Sequence, residues 1–103
     1  MKIVKLETFT KPYVSFVKIT VEDGSIGYGQ MSTYHADITA QIFHKQVAPW
    51  VLGKEYFDFE DLEDFIFERE HKFPGSYLLR AIAGLDTASV SYTHLRAHET
   101  FAN

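Results

Sequence analysis

The chain has 103 residues, 46% of them hydrophobic and 16% aromatic, enough for one small domain that buries roughly two-thirds of its unfolded surface and too apolar for a disordered chain. Ten basic against 14 acidic residues give a net charge of -4, the wrong sign for a phosphate backbone, so nucleic acid is disfavoured and not expected as a partner. There is no cysteine, which excludes disulfides and thiolate metal sites.

In chain order, Ile3 to Phe9 reads as a first strand, with Val4 and Leu6 on one face and Lys5 and Glu7 on the other. Pro12 cannot join a ladder, so the strand ends before it and Thr8 to Tyr13 forms a short connection. Val14 to Met31 reads as a β-hairpin. Ser15, Val17, Ile19 and Val21 share one face and Phe16, Lys18, Thr20 and Glu22 the other, with Asp23-Gly24 as the turn. In the following strand Gly27 and Gly29 alternate with Ile26, Tyr28 and Gln30. One face is therefore nearly bare, and something must lie close against it.

A first helix is expected from Ala36 to Gln46, with Ile38, Ile42, Phe43 and Val47 at helical spacing. His44 on it reads as a surface or half-buried residue, Pro49 biases Ala48 out of the helix, and Trp50 to Leu52 forms an apolar bridge onto the core. Asp58 is the N-cap of a second helix, with Asp61 in the place of a capping-box acid and Phe59, Leu62, Phe65 and Ile66 as the buried stripe. The acids between Glu55 and Glu70, opposed only by Arg69, read as a solvated face rather than a metal or partner site. Pro74-Gly75 stops that helix, and Ser76 caps a third running to about Ala88. Leu78, Leu79, Ile82, Ala83 and Leu85 spread around it, so it should be the most buried helix; Gly84 suggests a close contact, and Asp86 a structural cap interaction. The fold class is α+β, a three-stranded antiparallel meander followed by a three-helix bundle.

Two segments carry a resemblance to a known family. The hairpin closing on Glu22-Asp23-Gly24 and continuing into Gly27-Tyr28-Gly29-Gln30 is similar to the amino-terminal capping domain of the enolase superfamily, in its mandelate racemase and muconate-lactonizing branch. That family usually has Glu where Gln30 stands. Arg80-Ala81-Ile82-Ala83-Gly84-Leu85-Asp86-Thr87-Ala88 looks like the family's helix just before its barrel. The resemblance covers residues 1–88 and implies an enzyme that abstracts a proton α to a carboxylate, with Mg²⁺ stabilising the enediolate and a Lys or His base. It also implies that the catalytic and metal-binding residues lie on barrel strands that come after the matched region. No catalytic or metal residue is therefore assigned here, no cofactor is expected on this chain alone, and the chain alone should be inactive.

The family's two specificity loops correspond to the first inter-strand connection and to Ser32-Thr33-Tyr34-His35. Lys11, Tyr13, Tyr34 and His35 are the candidate substrate-facing residues, because an ammonium, two phenols and an imidazole can hydrogen-bond carboxylates and hydroxyls. Each also has a plain structural reading, Lys11 as a solvated charge and His35 as a helix-start residue. Arg69 to Tyr77 and Arg80 look most like sugar-acid dehydratases, so the expected partners are the chain's own C-terminal barrel, a small sugar-acid substrate and, in the complete enzyme, further copies of itself. With no membrane-length apolar run and no signal-peptide core, a cytoplasmic location is expected.

From Ser89 the sequence changes character. The family would continue with a Leu-Trp-Asp-like run, whereas Val90 to Thr100 resembles translated sequencing-adapter read-through, so residues 89–103 are expected to be a non-native tail, disordered or helical by propensity alone. His94 and His98 would share a helix face, but no third ligand is evident. The alternative to the enzyme reading is a non-catalytic α+β interaction module using its acidic second helix.

Overall fold

Alternation along the hairpin decides which side of the sheet is the core. The computed structural model describes the backbone of residues 2–55 and 58–102 and the side chains of residues 2–55 and 58–90. Strands β1 (Ile3–Lys11), β2 (Val14–Val21) and β3 (Ile26–Gln30) form one antiparallel sheet in the order β1-β2-β3. Ser15, Val17, Ile19 and Val21 are buried, and Phe16, Lys18 and Thr20 face outward. The β2–β3 turn is Asp23-Gly24: Gly24 takes φ 89°, its N–H donates to Val21 O at 2.9 Å, and Asp23 Oδ1 accepts from Ser25 N–H at 2.9 Å.

Strand β1 departs from simple alternation. Ile3 pairs with Val21 but Lys5 pairs with Thr20, so Val4 is the extra residue of a bulge. Ile3 rather than Val4 therefore enters the core, and Val4 is exposed. The strand also continues beyond Phe9 to Lys11.

The bare face of β3 receives the last helix. A Cβ on Gly29 would collide with the Gly84 carbonyl and stand 2.5 Å from Ala88 N, while one on Gly84 would meet Met31 Cγ and come within 3.2 Å of Val17 Cγ2. The two glycines foreseen separately thus belong to one strand–helix contact.

The first helical region is longer and less regular than expected. Helix α1 (Ala36–Ile42) passes into a π-helical turn (Phe43–Val47) and then into the short helix α2 (Ala48–Val51). Ala48 N–H donates to Phe43 O, the i→i−5 bond of a π turn, and Ala48 itself is helical at φ -54° and ψ -42°. Pro49 lies within the first two positions of α2, where a missing N–H costs nothing, so the expected break before it does not occur. The π turn adds a residue and brings Phe43, Val47 and Val51 all to full burial. Ile38 faces solvent instead, and Thr39 and Ala40 take the inward positions. Trp50 packs partly buried against the core, Leu52 is exposed, and exposed His44 shares a 2.8 Å hydrogen bond with Thr8 Oγ1.

Helix α3 (Phe59–Arg69) starts as foreseen, Asp58 accepting from Asp61 N–H at 2.9 Å. Leu62 and Ile66 are fully buried, Phe59 and Phe65 only partly. Trp50 Nε1 donates to Glu70 Oε2 at 3.1 Å and packs edge-on to Phe65. The Lys54 ammonium lies 4.1 Å from the centre of the Phe65 ring, so aromatic and cation–π contacts fasten α2 to α3.

Helix α4 (Ser76–Ala102) counts Ser76 as its first residue rather than its cap, and Leu79 N–H reaches Gly75 O at 3.3 Å. It does not end near Ala88. Leu78, Ala81, Ile82, Leu85 and Ala88 are buried, but Leu79 at 56% exposure and Ala83 face away, so the apolar surface is one face and not most of the circumference. Asp86 is exposed in mid-helix, far from either end, and caps nothing; beside it the Thr87 hydroxyl donates to Ala83 O at 2.9 Å. The expectation about His94 and His98 falls outside the described side chains.

Candidate functional site

Two loops, distant in sequence, meet at one end of the sheet. The first is the tip of the β1–β2 hairpin. Lys11 pairs with Val14, leaving only Pro12 and Tyr13 in the turn, so the connection is tighter than the Thr8 to Tyr13 stretch expected. Thr10 Oγ1 and Ser15 Oγ are 2.9 Å apart across the strands, and because Ser15 is fully buried this bond fixes the root of the tip. The second loop begins where β3 ends. Met31 N–H donates to Ser15 O at 2.8 Å, so the strand residue that holds the hairpin tip also fixes where the Ser32 to His35 loop departs.

That loop is ordered from within. Ser32 Oγ donates to Tyr34 O at 2.8 Å, and His35 is the N-cap of α1 in the left-handed region, φ 52° and ψ 43°. It is the one non-glycine residue with positive φ among the described residues. Its carbonyl accepts from Thr39 N–H at 3.0 Å and Thr39 Oγ1 at 3.3 Å, whereas its side chain makes no capping bond. The imidazole is thus not committed to the helix end.

Thr10, Lys11, Pro12 and Tyr13 on one side and Tyr34, His35 and Asp37 on the other line a cleft of about 650 Å³, the size of a small-molecule site. All four candidate residues, Lys11, Tyr13, Tyr34 and His35, border it. Tyr13 and Tyr34 are each 71% exposed, so the cleft is open to solvent. Lys11 and Asp37 bring one fixed charge of each sign, and the phenols, the imidazole and Thr10 supply neutral hydrogen-bonding groups suited to a polyhydroxylated acid. Asp37 and Thr10 were not foreseen. Asp37 is a first-turn acid of α1 that complements the helix dipole, and Thr10 belongs to the connection expected from Thr8 to Tyr13 without having been singled out in it.

Among the described residues no three His, Asp or Glu are grouped to hold a metal ion. No chemical step is derived through a metal.

An open antiparallel meander carrying its helices on one face, with its two loop clusters forming a cleft at one end, is the architecture of an enolase-type N-terminal domain. The chain belongs to the mandelate racemase / muconate lactonizing enzyme family, whose N-terminal domain matches residues 3–95. It is 60% identical to a candidate racemase from Roseobacter denitrificans whose crystal structure superimposes with a TM-score of 0.82, over 85% of this chain and 24% of that one. A mandelate racemase/muconate lactonizing protein from Paracoccus denitrificans, crystallised with magnesium, is 31% identical with a TM-score of 0.73, over 84% of this chain and 25% of its own. A D-galactonate dehydratase family member from Pseudarthrobacter chlorophenolicus is 32% identical in a 92-residue alignment that covers 85% of this chain and 22% of that protein. The chain thus spans about a quarter of the length of these relatives. No helix among the described residues is long and apolar enough to cross a membrane.

Proposed function

We propose that this chain is the capping and substrate-specificity domain of a cytoplasmic, homo-oligomeric, Mg²⁺-dependent enzyme that abstracts a proton α to the carboxylate of a sugar acid. The observation that carries this reading is the convergence of Lys11, Tyr13, Tyr34 and His35, from two separate loops, on one open cleft. Lys11 would meet the carboxylate and the phenols and imidazole the hydroxyls, with the open side closed by the barrel that brings the metal and the base.

The sugar-acid class is supported by the D-galactonate dehydratase family relative and by the 27% identity to a 3,6-anhydro-D-galactonate cycloisomerase from Zobellia galactanivorans. Dehydration is the reaction we infer. The 60% identity to a candidate racemase favours a second reading, racemisation, which begins at the same α-proton and differs only in the fate of the enediolate. We also propose that residues 89–103 are foreign to the domain, a reading that rests on their sequence alone and against which the family match through residue 95 counts over residues 89–95.

The test is a graft of residues 3–88 onto the barrel of the Roseobacter denitrificans relative. The graft should turn over a sugar acid, Lys11→Ala and Tyr34→Phe should raise KM more than they lower kcat, and the 103-residue chain alone should show no turnover. Unchanged KM across a panel of acids in both variants would overturn the specificity role, and activity of the chain alone would overturn the assignment of catalysis to the barrel.

A further inference from the structure

The cleft wall formed by Tyr34 and His35 is held from outside its own loop, and both outside contacts come from one turn of α4. Arg80 Nη1 donates to Ser32 Oγ at 3.2 Å, and the same hydroxyl donates to Tyr34 O at 2.8 Å, so Ser32 relays the guanidinium to the Tyr34 backbone. Tyr77, three residues earlier and therefore on the same helix face, packs edge-on against the His35 ring with centroids 6.3 Å apart at 70°. The Arg80 guanidinium lies 5.9 Å from the Tyr77 ring centre and joins the two contacts. Neither Arg80 nor Tyr77 lines the cleft.

We infer that Arg80 and Tyr77 are positioning residues: through Ser32 and the His35 ring they fix Tyr34 and His35 in the geometry that forms one wall of the cleft. The physical need is plain. A non-glycine residue at φ 52° occupies a sparsely populated region that persists only when its surroundings over-determine it. Within the loop, the Thr39 bonds hold the His35 carbonyl, but neither orients the Tyr34 backbone or the imidazole plane. Arg is suited to this place because a planar cation can donate to Ser32 while keeping its charge within cation–π reach of Tyr77. The substrate role of the wall rests on the function proposed above; its positioning does not.

The experiment uses the 103-residue chain, ¹⁵N-labelled, with Arg80→Met, Arg80→Lys and Ser32→Ala. Ser32 and Arg80 lie outside the core, so the core and its unfolding midpoint should be kept. Arg80→Met should drop the backbone order parameters of Thr33 to His35 from a rigid value near 0.85 to below about 0.6. It should also speed exchange of the Thr39 amide about fivefold, the loss of one modest hydrogen bond, and remove the Tyr77 ring-current shift from the His35 imidazole. Ser32→Ala should loosen Tyr34 alone. Arg80→Lys should restore order at Tyr34 without restoring the His35 ring shift, a split that a merely stabilising residue would not produce. Lys11 and Tyr13, on the opposite wall, should not change in any variant.

Parent-like order at residues 33–35 in Arg80→Met would overturn the inference, and if Arg80→Met does not fold Arg80→Lys decides it, a parent-like His35 ring shift there overturning it. Titration with D-galactonate separates this result from the functional reading. A loop that loosens as expected in a chain whose cleft resonances ignore the acid leaves the positioning role standing and removes the substrate role. Perturbed cleft resonances with an unchanged loop do the opposite.

Discussion

At the scale of single residues, glycine pairing and one carboxyl carry the sharpest expectations. Gly29→Ala would drive a Cβ into the backbone of α4, at the Gly84 carbonyl and Ala88 N, where nothing can rotate away. It should cost about 3 kcal/mol or more, read as a fall in the denaturation midpoint. Gly84→Ala should cost clearly less, because the obstacle is the Met31 side chain and alanine recovers about 1 kcal/mol of helix propensity. Glu63 on α3 has its carboxyl pushed above its ordinary value of 4.5, first by burial and then by Asp86, Asp64 and Glu60. A raised carboxyl means that the folded chain holds this proton more tightly than the unfolded one. Its contribution is therefore favourable in acid and is lost as pH rises through the carboxylate range. Glu63→Gln should stabilise the chain at pH 7, by no more than about 0.5 kcal/mol after solvent screening, and the gain should vanish below pH 4.5. An equal gain at both pH values would assign it to packing instead. At this scale the sequence was partly legible: both glycines announce a close approach by their absence of side chains, but only the fold shows that they approach the same contact. The exposure of Asp86 was not legible, because a helix face is defined only once its neighbours are placed.

At the scale of elements, what could be read was what local physics decides. Strict alternation from Ser15 to Val21 fixed β2 and its inner face, and the Asp58 cap fixed the start of α3 to the residue. Asp58→Ala should therefore cost about 1 kcal/mol, seen in denaturant unfolding, with the loss confined to exchange of the first-turn amides of α3 if the cap acts locally. What could not be read was where tertiary packing outweighs local preference. The bulge at Val4 exists because β1 must bring Ile3 inward opposite Val21, and alternation over so few residues cannot show it. The π turn at Phe43–Val47 likewise re-aims a helix so that Phe43, Val47 and Val51 all face the core, at the expense of the ordinary i→i−4 pattern that placed Ile38 inside. The candidate site followed the same rule. Lys11, Tyr13, Tyr34 and His35 could be named one loop at a time, but the Met31 to Ser15 hydrogen bond that brings those loops together is a backbone contact with no signature in the residue types.

At the scale of the whole molecule, the sheet is covered on one face only. The helices take the inner face, while Phe9, Phe16 and Tyr28 remain 51%, 38% and 45% exposed on the outer one, around an apolar hollow of about 450 Å³. Phe9 and Phe16 are direct cross-strand partners, and Tyr28 sits opposite Lys18, one step along the same face. Lys18 and Glu7, 3.9 Å apart, give that face its nearest charges, and a surface pair of this kind does little to keep apolar surfaces apart. Among the described residues no further strand joins β3, and the outer edge of β1 is met only at its start, by Gly53 N–H on Ile3 O and a Lys2–Glu55 bridge, which leaves most of both edges able to pair with another chain. With that face uncovered, the chain should self-associate: sedimentation velocity should show the mean coefficient rising with concentration. Phe9→Ser with Phe16→Ser should return it toward the monomer, whereas Leu79→Ser, on the outward face of α4, tests whether that helix contributes. A parent chain that stays monomeric at every concentration would show that these surfaces need no partner, and would favour the proposed alternative of a domain that stands alone.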